Sequence, residues 1–280
     1  MATTPETMGI EAPAAGRTRK REQRDVVAVA IQLATAALLL TAWQTVGGFL
    51  PNLSTFFPPV QDIAREAVRL FGNGILTKDI TTTAYEVLWG FLIGGGAGIL
   101  VGVALGSNRY LSGIFGPYVY YAAAIPKIIL YPIFILVLGI GLESKIGVGA
   151  ASAFFPIAIN TMAGVAEVQP AFVKVARTLR VSTRQMYLYV YLPSAIGPIV
   201  AGVRVGLGGA IIGTLLAETK LASAGLGIKA INFYAEFEFA AMYVVIGFVF
   251  IVALLLNWGL GLLHRRVTRY QGDGSHSVML

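Results

Sequence analysis

The feature that most constrains this chain is a series of long apolar runs, at roughly 26 to 49, 85 to 106, 114 to 138, 146 to 166, 194 to 217 and 239 to 263. A helix needs about 20 mainly apolar residues to cross the hydrocarbon core of a bilayer, and every run meets that length. Lipid offers the backbone no hydrogen-bond partners, so such runs must fold as helices that satisfy their own peptide groups. The chain is therefore expected to be an all-α, polytopic membrane protein with about six transmembrane helices. Charged residues make up only 12% of its 280 positions, about half the roughly 25% of a soluble domain.

The first run is long for the core of a cleaved signal peptide, and further spans follow it, so it reads as a retained span. Residues 1–25 are polar and end in the basic cluster Arg17, Arg19, Lys20, Arg21 and Arg24, which predicts a disordered tail. A six-helix membrane domain is expected over 26–266, with a long polar loop at 167–193 and a second tail at 267–280.

Charge placement orients the helices. With an even number of spans, the tails share one side with Arg109, Lys174, Arg177, Arg180, Arg184, Arg265, Arg266 and Arg269. The other side holds Arg65, Arg69, Lys78, Lys145, Lys220 and Lys229, while Lys127 and Arg204 fall inside spans. The cationic excess on the tail side predicts that both termini are cytoplasmic. The net charge of +7 sits in these short loops and forms no stripe with interleaved aromatics, so it reads as orientation and contact with membrane lipid, and no nucleic-acid partner is expected.

The chain has no cysteine, and its two histidines, His264 and His276, lie near the C-terminus, so neither a metal site nor a catalytic cluster is expected. No G-x-x-x-x-G-K-[ST] stretch occurs, so any ATP must be handled by another chain. Gly90, Gly94, Gly98, Gly102 and Gly106 recur every fourth residue, which predicts a close helix–helix seam. Val60, Ile63, Ala64, Ala67, Val68 and Phe71 share one face of an amphipathic outer-surface helix over Pro59 to Phe71. Glu218 to Phe239 is expected to be a short external loop with a helical turn.

The most informative stretch is EVQPAFVKVARTLRVSTRQMYLYVYLP, residues 167–193, which is basic and too polar to span. Pro170 suits the first turn of a helix, and Phe172, Val175, Ala176 and Leu179 recur at helical spacing opposite Lys174 and Arg177. A short amphipathic cytoplasmic helix is expected, reaching from about Pro170 to Arg184.

This stretch resembles the cytoplasmic loop of bacterial ATP-binding-cassette importer permeases, whose pattern is E-A-A, three residues, G, nine residues, I-x-L-P. Lys174, Val175 and Ala176 fall at the E-A-A positions, Arg180 at the glycine, Val190 at the isoleucine, and Leu192-Pro193 match outright. If that glycine supplies a positive-φ turn, an arginine there costs about 1 kcal/mol or more. Four flanking segments are similar to the branch that imports taurine, alkanesulfonates and nitrate: IPKIILYPIFILVLGIGLESKIGV (125 to 148), ARTLRVS (176 to 182), AGVRVGLGGA (201 to 210) and AETKLASAGLG (217 to 227).

The resemblance implies a permease subunit in the bacterial inner membrane, paired with a second copy of itself around a pathway for a small anionic solute such as a sulfonate, nitrate or an organic acid. It implies an extracytoplasmic solute-binding protein and two ATPase subunits that bind ATP and Mg, with no cofactor in this chain and no enzymatic activity of its own. The helix carrying Pro170, Phe172, Lys174, Val175, Ala176, Arg177, Leu179, Arg180 and Arg184 would dock in a groove on an ATPase subunit.

Three residues are candidates for the pathway. Lys127, beside Pro126 in a span, either attracts an anion or makes a structural bond, to backbone carbonyls freed by the proline or to an acidic side chain. Arg204 either pairs with Glu86 or lines the pore, and Tyr131 either presents its hydroxyl to the pathway or anchors a span end. The competing reading is an ion-coupled secondary transporter, which calls for an ionisable relay and often an inverted repeat; neither is evident.

Overall fold

A computed structural model describes residues 15–49 and 55–268 of the chain, with side chains over 27–45 and 55–262. The described residues are mostly helical, with no strand among them. They separate into two compact units, divided after Ile63.

In the first unit, α1 (Ala15–Phe49) includes the apolar stretch Val27–Thr45, with Ile31, Leu33 and Leu38 on its exposed surface. The helix begins before the apolar run, so residues 15–25 are helical where an unstructured tail was expected; residues 1–14 and 269–280 lie outside the described residues. Trp43 closes this unit: its Nε1 donates to the Pro58 carbonyl at 3.0 Å and its ring meets Phe57 edge-on at 5.4 Å. The expected amphipathic surface helix is α2 (Val60–Gly72), on which Arg69 pairs with Glu66 one turn earlier.

The second unit is built on three long helices: α3 (Thr77–Ser107), α6 (Leu142–Ala166) and α9 (Leu192–Glu218), with α6 packed between the other two. Small residues let these backbones approach. A Cβ at Gly98 would stand 2.8 Å from the Phe154 carbonyl oxygen, and one at Gly102 would stand 2.7 Å from that of Ala158, so the stripe read in the sequence is a seam against α6. Ile157, Ala153 and Ala210 fill the centre, with Val165, Ala195 and Ile199 below them.

The expected third span is not one helix. It divides into α4 (Arg109–Ala124), a 3₁₀ turn (Lys127–Leu130) and α5 (Tyr131–Leu138), bent by 94° at the break. Proline disfavours helical backbone at the residue before it, and Ile125 accordingly stands extended, at φ −69° and ψ 128°. The described residues therefore include five unbroken helices long and apolar enough to span a bilayer, or six spans with the bent pair.

Beyond α6 follow α7 (Pro170–Thr178), α8 (Thr183–Met186) and a π-helical turn (Tyr187–Tyr191) that runs directly into α9. The expected external loop after Glu218 contains a full helix, α10 (Leu226–Ala235), before α11 (Phe239–Thr268). Lys145, expected in an outer loop, is instead buried in the first turn of α6.

Candidate functional site

At one end of the bundle, the 167–193 segment forms an elbow. Pro170 occupies the first helical turn of α7, where its missing N–H costs nothing. Phe172, Val175 and Leu179 are 55%, 58% and 71% exposed, an apolar stripe with no cover from the described residues, and Lys174 and Arg177 stand exposed beside it. Ala176, expected on that stripe, is turned inward at 6% exposure. The reason is helical geometry: Ala176 lies toward the Val173 edge of the apolar face, which packs on the chain itself.

The elbow turns at Arg180, which adopts φ +52°. Its N–H donates to the Arg177 carbonyl at 3.0 Å, and the Val181 N–H donates to the Ala176 carbonyl at 3.2 Å. This pair of bonds is the helix-ending motif that glycine ordinarily serves, here built with an arginine. The α7 helix therefore ends at Thr178, shorter than expected, and Arg184 belongs to the next element.

That element starts with reciprocal capping. Ser182 Oγ accepts from the Gln185 N–H at 3.3 Å while Gln185 Oε1 accepts from the Ser182 N–H at 2.8 Å. From there the helix continues without a break from Thr183 to Glu218, and a Tyr187–Ser107 hydroxyl pair at 3.1 Å ties its start to the end of α3.

The three pathway candidates do not converge. Lys127 Nζ donates to the carbonyls of Ala122 at 2.9 Å and Ala123 at 2.8 Å, and also to that of Ile125. It also stands 4.6 Å from the centroid of the Phe155 ring. The ammonium thus caps the C-terminal end of α4, where unsatisfied carbonyls carry partial negative charge. Tyr131 is 3% exposed and packs on Val148 and Ala217. Arg204 does not pair with Glu86: its Nε donates to Asn257 Oδ1 on α11 at 3.0 Å.

The partner of Glu86 is Lys145, a residue that sequence reasoning had assigned to a loop. Their Nζ–Oε1 distance is 2.7 Å, and their side chains are 0% and 4% exposed respectively. They belong to a polar cluster at the end of the bundle opposite the elbow. Thr83 Oγ1 donates to Glu218 Oε1 at 2.6 Å, and Glu218 Oε2 accepts from the Gly227 N–H at 2.6 Å. Thr83 Oγ1 in turn accepts from the Leu226 N–H at 2.8 Å, and Asp79 Oδ1 from the Gly225 N–H at 2.9 Å. Two carboxylates and a hydroxyl from α3 and α9 thus cap the N-terminus of α10 from outside it. Gly225, at φ +126°, has no room for a Cβ against the Glu218 carboxyl group. The AGLG run in the sequence was the available signal for this contact.

Comparison with known proteins places this arrangement. A family described as "Binding-protein-dependent transport system inner membrane component" matches residues 94–269. The taurine transport system permease protein TauC of Escherichia coli (strain K12) is 30% identical over 253 residues, covering 88% of this chain and 91% of the relative. The putative aliphatic sulfonates transport permease protein SsuC of Bacillus subtilis (strain 168) is 32% identical over 191 residues, covering 68% and 69%. Among solved structures, a chain of the MetNI methionine ABC transporter in inward-facing conformations shares the fold. Its TM-score is 0.57 at 22% identity, over 69% of this chain and 94% of that one. With its five or six apolar spans and its match over most of its length, this chain belongs to the binding-protein-dependent inner-membrane components, the permease subunits of ABC importers.

Proposed function

We propose that this permease forms, with a second copy of itself, the pathway for a small anionic solute handed over by an extracytoplasmic binding protein. Two ATPase subunits, which bind the ATP and Mg, drive it by gripping the Pro170–Thr178 helix from the cytoplasmic side. In this reading both termini are cytoplasmic, and the chain carries neither cofactor nor catalytic residue.

The observation that carries the reading is the uncovered apolar stripe of Phe172, Val175 and Leu179 beside Lys174 and Arg177, on a short helix clamped by turns at both ends. Exposed apolar side chains on a polar segment outside the bilayer call for a protein partner. The anionic solute is supported by the names of the relatives, which describe taurine and sulfonate transport.

The test is affinity purification of the tagged chain from its host in mild detergent. A stoichiometric P-loop ATPase is expected, lost in a Leu179→Glu variant that still inserts and dimerises. Transport at full rate by that variant would sink the docking assignment, and a lone ATPase-free dimer would favour an ion-coupled secondary transporter.

A further inference from the structure

The end of the bundle opposite the elbow holds an open hollow of about 720 Å³ whose charged lining residues are all cationic: Lys78 at the start of α3, Lys145 in α6 and Lys220 just after α9. Thr82 and Ser223 add hydroxyls to its wall, and no carboxylate lines it. Lys78 and Lys220 are exposed, and neither forms an ion pair among the described residues. Lys145 forms the buried end of the hollow, its ammonium held by Glu86, so its charge is neutralised while the other two are not. The Glu143 carboxylate lies beside Gly141 at the edge of the hollow, in the first turn of α6, where the helix dipole favours negative charge. Asp79 is engaged by the Gly225 N–H.

We propose that this hollow is a vestibule that collects a small oxyanion solute, with Lys78 and Lys220 as the side chains that contact it. The assignment rests on the importer reading only for its direction, namely that the hollow faces the side from which solute arrives. Two exposed ammonium groups from separate elements, on the wall of one hollow that also carries two hydroxyls, raise the local concentration of anions and favour an oxyanion that contacts them. The size of the hollow suits a solute of a few heavy atoms that retains part of its water.

The chain has no cysteine, so one introduced thiol reports on the hollow without background. In the full chain bearing Ser223→Cys, in right-side-out membrane vesicles, we expect the anionic sulfonatoethyl methanethiosulfonate to react faster than its cationic trimethylammonioethyl counterpart. With each rate normalised to a free thiol, the expected excess is about tenfold. Lys78→Gln with Lys220→Gln should bring the ratio close to one, as should salt at about 1 M, where screening acts within about 3 Å. Millimolar ethanesulfonate should protect the thiol, and an equal concentration of ethanol should not. A ratio near one before the lysines are removed, or no protection by ethanesulfonate, overturns the vestibule whatever the fate of the importer reading. Reaction from inside-out vesicles alone, with the ratio intact, overturns the direction assumed for transport and leaves the anion site standing.

Discussion

Lys145 on α6 and Glu86 on α3 form a buried ion pair, 2.7 Å apart, in which neither side chain is more than 4% exposed. Such a pair is costly to bury and still more costly to break, because the survivor is left charged without a partner.

Lys145→Met alone should therefore destabilise the chain by about 3–5 kcal/mol, measured as the thermal midpoint of the detergent-solubilised protein. Adding Glu86→Leu should recover most of that loss. A double variant as unstable as the single one would show that the lysine matters through its packing and not through its charge.

The α10 clamp depends on Gly225. Gly225→Ala places a Cβ in left-handed backbone against the Glu218 carboxyl group, and should cost about 1–3 kcal/mol and expose the Leu226 end of α10 to protease. Gly247→Ala, whose Cβ would meet nothing within 4 Å, is the matched control and should change little.

Arg180 holds the left-handed turn of the elbow at the expense of local strain. Arg180→Gly should raise the thermal midpoint, by a change of about 1 kcal/mol, and Arg180→Val should lower it. Equal midpoints for the two variants would mean that the turn is remodelled when the side chain changes.

Lys127→Met removes the ammonium from three carbonyl acceptors at the end of α4. A loss of about 1–3 kcal/mol is expected. If stability is unchanged while uptake of anion falls, the lysine acts on solute and not on the helix end.

Lys127 also shows what the sequence could and could not disclose. Pro126 marked the break in advance, because its ring disfavours helical backbone at Ile125, and the two readings of the lysine were both visible before the carbonyls were located. Arg180 was legible in the same way: alignment put it where a positive φ is needed, and it adopts φ +52°. The Glu86–Lys145 pair was not legible, since 59 positions separate its members and no periodicity links them. A lysine near the end of an apolar run looks like a loop residue, and only tertiary packing of α3 on α6 buries it. The Glu86 alternative for Arg204 fails for the same reason, its partner being Asn257 on a helix that no pattern in the sequence places beside it. Ala176 shared a helical face with Phe172 and Val175, but periodicity cannot say which edge of a face turns inward.

The unbroken helix from Thr183 to Glu218 has 36 residues, so it is about 54 Å long. It begins at the elbow and ends in the carboxylate that clamps α10. It is thus a lever whose two ends lie at opposite surfaces of the bilayer. A small rotation at Thr183, if carried rigidly along the helix, would displace Glu218 by several ångströms, and the π-turn at Tyr187–Tyr191 lies next to the end where it would be imposed.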